Sequence, residues 1–170
     1  VYLAPTTYEE YIAMLDWSTE QREHPVAIRV PGAVIHGEKP TKDYGILNKY
    51  ETVQKGSGAA IIALGTFFGM GKQAAELIEK KTGVKPTLID PVYIIGIDEE
   101  LLESLKKDHK AVVPLEDGIL DAGFGEKIAR FYGDSDMRTV NFGLKKEFLD
   151  RYDANEVLRQ NGITPEQIAD

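Results

Sequence analysis

Cysteine is absent from the 170 residues, which excludes disulfides, thiolate metal ligands and a cysteine nucleophile and fits a cytosolic protein. No apolar run approaches the ~20 residues needed to span a bilayer. The opening Val1-Tyr2-Leu3-Ala4-Pro5 has neither the basic n-region nor the long apolar core of a signal peptide. An initiator methionine is also lacking, which suits a fragment or a processed chain. Positive charge is in short supply: 20 Lys and Arg face 28 Asp and Glu, for a formal charge of −8. No cluster of Lys and Arg interleaved with aromatics offsets that balance, so neither nucleic acid nor a membrane is expected as a partner.

Motifs that carry chemistry on their own are missing too. The three histidines, His24, His36 and His109, stand apart with no second ligand at helical spacing, so no metal site is expected. Ser57 sits between two glycines in a turn rather than on a nucleophile elbow. The run from Gly65 to Gln73 follows a strand and opens a helix, the setting of a phosphate-binding loop. Its spacing differs, with five residues between Gly65 and Gly71-Lys72 and Gln73 where Ser or Thr would hold Mg²⁺, so it reads as a tight glycine turn. Gly123-Phe124-Gly125 lacks the third glycine of a dinucleotide fingerprint.

What is present is a soluble α/β pattern. Hydrophobic residues at 42% and charged residues at 28% are those of a globular protein, and the length fits one domain plus an appendage. Thr6 is the expected N-cap of an amphipathic helix that shows Tyr8, Tyr11, Ile12 and Leu15 on one face. Residues 26–30 then read as a buried strand, ended by Pro31-Gly32, with only that helix before it. Residues 33–44 have linker composition, with Ala33-Val34-Ile35 their one apolar run. Strands are expected at 46–53 (an edge), 59–64, 87–90, 111–115 and 139–142. Helices are expected at 72–81 closed by Gly83, 99–107 capped by Asp98, 123–132, 154–160 and 165–169. Strands alternating with helices predict a mostly parallel five-stranded sheet with one antiparallel edge strand and helices on both faces, after an N-terminal helix-strand remnant of a preceding domain.

Two charged positions stand out. Arg29 lies among apolar residues in Val26-Ala27-Ile28-Arg29-Val30, and a guanidinium cannot shed its charge, so it must reach an anion or water. Glu116-Asp117 falls at the carboxyl end of a strand, where open α/β sheets place ligands. Strand-end acids also form turns, and a structural role is assigned to both.

The order of segments resembles a known family. Pro25-Val26-Ala27-Ile28-Arg29-Val30-Pro31 resembles the end of the pyrimidine-binding domain in transketolase-like thiamine-diphosphate enzymes. Gly58-Ala59-Ala60-Ile61-Ile62-Ala63-Leu64-Gly65-Thr66 resembles the first parallel strand of their C-terminal domain, and the match continues through Asp90 to Asp98 and from His109 to Gly118. The tail Leu158-Arg159-Gln160-Asn161-Gly162-Ile163-Thr164-Pro165-Glu166-Gln167-Ile168-Ala169 is similar to that of 1-deoxy-D-xylulose-5-phosphate synthases. The resemblance implies residues 1–32 as the end of the pyrimidine domain, 33–44 as linker and 45–170 as a transketolase C-terminal-like domain.

That family condenses pyruvate with glyceraldehyde 3-phosphate, releasing CO₂, on thiamine diphosphate with Mg²⁺, and its product feeds isoprenoid synthesis. The resemblance implies a homodimeric, cytoplasmic parent whose preceding domains are this chain's partners. Those domains hold the cofactor and metal, so the chain alone is expected to bind neither and to be structural rather than catalytic. A stand-alone assembly module, or the C-terminal domain of a transketolase or pyruvate dehydrogenase β subunit, is the alternative. Arg29 matches the first arginine of the family's Arg-Tyr-Pro-Arg-Gly, which helps to hold the aldehyde substrate. Val30 replaces the tyrosine and Gly32 the second arginine. Val92 stands where Asp-x-Arg-Phe-x-Lys-Pro has a phosphate-binding arginine, and Ile95-Gly96 replaces Lys-Pro. The resemblance therefore implies a divergent paralogue with a weakened grip on phosphate, taking an unphosphorylated or otherwise different acceptor.

Overall fold

Alternation along one short strand organises the molecule. In the run from Ala60 to Leu64, Ala60, Ile62 and Leu64 pack with Leu102, Phe124, Ile128 and Tyr132 on one face, while Ile61 and Ala63 pack with Ala74, Ala75, Ile163 and Ile168 on the other. A strand apolar on both faces demands helices on both, as a parallel sheet does. The computed structural model describes residues 1–30, 32 and 34–170. Pro31, where the strand at 26–30 was expected to stop, and Ala33, at the start of the linker's apolar run, lie outside the described residues.

In chain order the elements are β1 (Tyr2–Leu3), α1 (Tyr8–Glu20), β2 (Ala27–Ile28), β3 (Glu51–Gln54), β4 (Gly58–Ala63), α2 (Phe68–Thr82), β5 (Thr87–Asp90), α3 (Glu99–Leu105), β6 (His109–Ile119), α4 (Phe124–Phe131), β7 (Arg138–Thr139), β8 (Phe142–Leu144), α5 (Ala154–Gln160) and α6 (Pro165–Ile168). The main sheet runs β3-β5-β4-β6, and β7 and β8 both pair with β6. Only β3 is antiparallel in it; the other pairings are parallel. Helices α3 and α4 cover one face, and α2, α5 and α6 the other. This is the doubly covered, mostly parallel α/β sheet with one antiparallel edge expected from the alternating segments, with six strands in place of the expected five because the last one is divided. No helix among the described residues is long and apolar enough to cross a membrane.

Several local expectations are corrected. The helix α1 is capped by Thr7, whose Oγ1 accepts from the Glu10 N–H at 3.2 Å, while the Thr6 N–H and hydroxyl both donate to the Glu10 carboxylate. The strand at 26–30 shrinks to Ala27–Ile28 and is not buried, with Val30 68% exposed, because only the two-residue β1 pairs with it. That β1 was unforeseen, so the N-terminal unit is strand-helix-strand. The edge strand at 46–53 contracts to Glu51–Gln54, since Asn48 turns left-handed at φ 59° and the Tyr50 N–H is drawn to Asp98.

The strand at 139–142 is divided into β7 and β8 for a reason that lies in β6. The Val112 carbonyl faces that edge and accepts from Val140 N–H at 3.0 Å. Two residues on, Pro114 faces the same edge with no N–H to give, so the ladder breaks there. The expected glycine turn before a helix at 72 is corrected too: α2 starts at Phe68 and contains Gly71, where a Cβ would stand 2.6 Å from the Ala63 Cβ, and glycine lets α2 lie close on β4.

Candidate functional site at the carboxyl ends of the strands

The chain leaves β4 for β5 on one side and returns to β6 on the other, so the carboxyl ends of β4 and β6 form a topological switch point. Ligands of open α/β sheets collect at such crevices. Here the N-terminal unit is stitched onto it. The Ala4 N–H donates to the Val92 carbonyl at 2.8 Å, and the Ile94 N–H to the Tyr2 carbonyl at 2.9 Å. Gly65, just past β4, has φ +56°, and a Cβ there would lie 3.1 Å from the Ala4 Cβ. The glycine thus provides both the left-handed turn and the close approach.

This stitching delivers Arg29. Its N–H donates to the Leu3 carbonyl at 2.9 Å, and its Nη2 lies 3.1 Å from the Asp117 Oδ2 at the end of β6. The same Oδ2 accepts a long hydrogen bond, 3.4 Å, from the Thr66 hydroxyl beyond β4. The Arg29 and Asp117 side chains are 38% and 39% exposed. A guanidinium has five N–H donors in a fork, and Asp117 is its only acidic partner among the described residues. The neighbouring Glu116 is buried, and its carboxylate accepts the Phe124 and Gly125 N–H groups at 2.7 and 2.9 Å. The adjacent carboxylates therefore divide: Glu116 caps α4, and Asp117 joins Arg29 to the sheet.

A second charged group lies beside the end of β5. Lys42 Nζ sits 2.6 Å from Glu10, 2.8 Å from Asp90 and 2.9 Å from Glu51. Glu10 and Asp90 are buried. Burial and then the Glu10 charge push Asp90 up to about 6, against the pull of Lys42. The two carboxylates hold Lys42 well above the ordinary lysine range despite its own desolvation. No local spacing could have announced this group, which gathers residues from α1, the 33–44 connection, β3 and β5. It borders a cleft of about 350 Å³ that also touches Thr6 and Phe68.

The positions that depart from the family pattern supply no charge. Val92 is buried among Leu3, Met14, Tyr44 and Tyr93, facing away from solvent, with φ +62°. A β-branched residue in that region is strained. A Cβ on Gly32 would meet nothing within 4 Å.

A larger cavity, about 590 Å³, lies at the opposite, amino ends of β5 and β6 beside Thr87 and His109. The polar groups around His109 satisfy one another. His109 Nδ1 lies 2.7 Å from Asp108, Nε2 lies 2.8 Å from the Thr87 hydroxyl, and that oxygen accepts from the Gly56 N–H at 3.0 Å. The switch point, with donors of Arg29 still open, is the better candidate. His36 pairs with Glu9 at 2.8 Å, and His24 is 4.0 Å from Glu23. Among the described residues no three His, Asp or Glu side chains converge as metal ligands.

Comparison with known proteins places this geometry in context. The family model for the transketolase C-terminal domain matches residues 48–168. A 1-deoxy-D-xylulose-5-phosphate synthase of Clostridium tetani is 30% identical over 169 residues, covering 98% of this chain and 27% of that protein. The synthase of Shouchella clausii is 29% identical over 172 residues, covering 99% and 27%. This chain thus spans about a quarter of the length of these relatives. Among solved structures, a split-gene transketolase described as an inactive β4 tetramer superposes with a TM-score of 0.83 at 21% identity, over 99% of this chain and 54% of that one. A transketolase from Pichia stipitis gives 0.71 at 17% identity, over 99% and 24%.

Proposed function

The chain belongs to the transketolase C-terminal domain family, and from that premise we propose that it is the C-terminal part of a 1-deoxy-D-xylulose-5-phosphate synthase-like enzyme. In this reading residues 1–32 end the pyrimidine-binding domain, 33–44 connect, and 45–170 form the C-terminal domain. The parent is a homodimer that joins pyruvate to an aldehyde acceptor with loss of CO₂. Arg29 contacts the acceptor, and residues 45–170 support the dimer and shape the substrate entrance rather than perform the chemistry.

The observation that supports this most is the delivery of Arg29 to the switch point by Asp117. An arginine from one unit, fixed by the other at the mouth of a sheet crevice with donors to spare, suits an acceptor's oxygens. The cofactor is a different matter. The acidic group at Glu10 and Asp90 is filled by the Lys42 ammonium, so these residues do not fit Mg²⁺ and a diphosphate. Thiamine diphosphate and Mg²⁺ therefore belong, in this reading, to other segments of the parent.

The test uses the full-length protein with labelled pyruvate and a set of short aldehydes. A 1-deoxy sugar product is expected, and Arg29→Ala should raise the acceptor KM by roughly 30-fold or more, as for a charge-assisted contact worth ~2–5 kcal/mol. Absence of any such product from the full-length protein refutes the synthase reading. An unchanged KM in Arg29→Ala refutes the assignment of Arg29.

A further inference from the structure

Charge at the carboxyl-end face points beyond the choice of Arg29 to the kind of acceptor it meets. Counting Arg29 with Asp117 and the charges that line the cleft at Lys42, three cations, Arg29, Lys39 and Lys42, stand there against five carboxylates, Glu10, Glu38, Glu51, Asp90 and Asp117. Lys42 is enclosed by three of them. Asp90 ends β5, and Asp117 lies two residues past the last β4–β6 pair, with β4 between; two strand spacings across and two residues along make a separation of about 12 Å. That exceeds the Debye length of about 8 Å at physiological salt, and partial burial weakens the screening between them. An incoming phosphate would approach an arginine already neutralised and a surrounding field that is negative.

We propose that this face selects an uncharged acceptor and that Asp117 is the specificity-determining residue, pairing with Arg29 so that its remaining N–H groups serve neutral carbonyl and hydroxyl oxygens. The inference rests on the synthase-like reading and refines it. A neutral hydroxyaldehyde gains the directed hydrogen bonds of the guanidinium fork and avoids repulsion from Asp117. A phosphomonoester, with nearly two negative charges at neutral pH, gains little from a neutralised pair and is repelled by the carboxylate beside it. Thr66, donating to the same Asp117 oxygen, keeps that carboxylate turned toward the switch point.

The experiment compares the full-length wild type with Asp117→Asn, an isosteric change at a half-exposed side chain. With pyruvate as donor, kcat/KM is measured for D-glyceraldehyde and for D-glyceraldehyde 3-phosphate. Calorimetric binding of glycerol 3-phosphate gives a readout independent of turnover. The wild type should prefer the unphosphorylated aldehyde. The variant should move the preference toward the phosphorylated one by roughly tenfold, the effect of about 1.4 kcal/mol, and tighten glycerol 3-phosphate by a similar factor.

A wild-type preference for glyceraldehyde 3-phosphate overturns the proposal, and so does a ratio unmoved, or moved the other way, by Asp117→Asn. Arg29→Ala separates the two levels of argument. If it impairs use of both acceptors while Asp117→Asn leaves their ratio intact, only the specificity proposal falls. If no product forms with either acceptor, the synthase reading falls, and glycerol 3-phosphate binding alone decides the role of Asp117.

Discussion

Replacing Lys42 with Met should expose how strongly the two parts of the chain are joined. The ammonium lies within 2.9 Å of Glu10, Asp90 and Glu51, and the first two are each only 3% exposed. Breaking a buried pair from one side costs about 3–5 kcal/mol, because the other charge is left uncompensated. Two features lower the expectation to roughly 3 kcal/mol: Lys42 is itself 22% exposed, and the carboxylates keep other donors, Thr6 on Glu10 and the Val92 N–H on Asp90. For 170 residues that is a fall in Tm of about 6–12 °C. The loss should depend on pH with a definite sign. Asp90, raised from 3.8 to about 6 mainly by burial and secondarily by Glu10, holds its proton more tightly folded than unfolded. Its contribution is fully favourable below about 4 and is lost as pH rises through about 6. Without Lys42 that decline extends to higher pH, so the variant's deficit should be larger at pH 8 than at pH 4.5. Urea unfolding at the two values measures it. A deficit under about 1 kcal/mol at pH 8, or an equal one at both, would refute the account.

Two further substitutions test other parts of the frame. Glu116→Gln keeps an acceptor for one of the Phe124 and Gly125 N–H groups and sets an amide NH₂ against the other, and should cost about 2–3 kcal/mol in urea unfolding; a change below ~0.5 kcal/mol would mean that α4 does not rely on this cap. Val92→Gly should be cheaper than Val112→Gly by about 1–3 kcal/mol, although both valines are buried, because only Val92 has φ +62° and recovers backbone strain. Equal losses for the two valines would remove strain as an explanation.

The fold was readable where one residue's neighbours in sequence decide its state. Two-faced burial of β4, the Gly83 cap of α2 at φ +73° and Thr164 before Pro165 at the start of α6 all follow from residues within a few positions. The edges were less legible because their bounds depend on partners. The strand at 26–30 ends where the two-residue β1 ends, and β7 and β8 separate because of a proline in another strand. The candidate site was half legible. Arg29 drew notice as a charge in an apolar run, and Glu116-Asp117 as acids at a strand end. That one of those acids pairs with Arg29, 88 positions away (117 − 29), has no signature in spacing.

Strand alternation explains why the two acids part company, and it sets the logic of the site. Successive side chains of β6 point to opposite faces, so one carboxylate must turn inward and the next outward. The inward Glu116 meets the N–H groups that open α4, and that capture fixes the backbone at the strand end. Asp117 is thereby held at the crevice, where its oxygen has the Thr66 hydroxyl on one side and Arg29 on the other. The cations come from outside the segment that matches the family, since Arg29 and Lys42 both precede residue 48. A carboxylate from within the family domain and an arginine from before it make one neutral pair at the crevice; on the proposed reading, changing either charge alone should alter which acceptor is used.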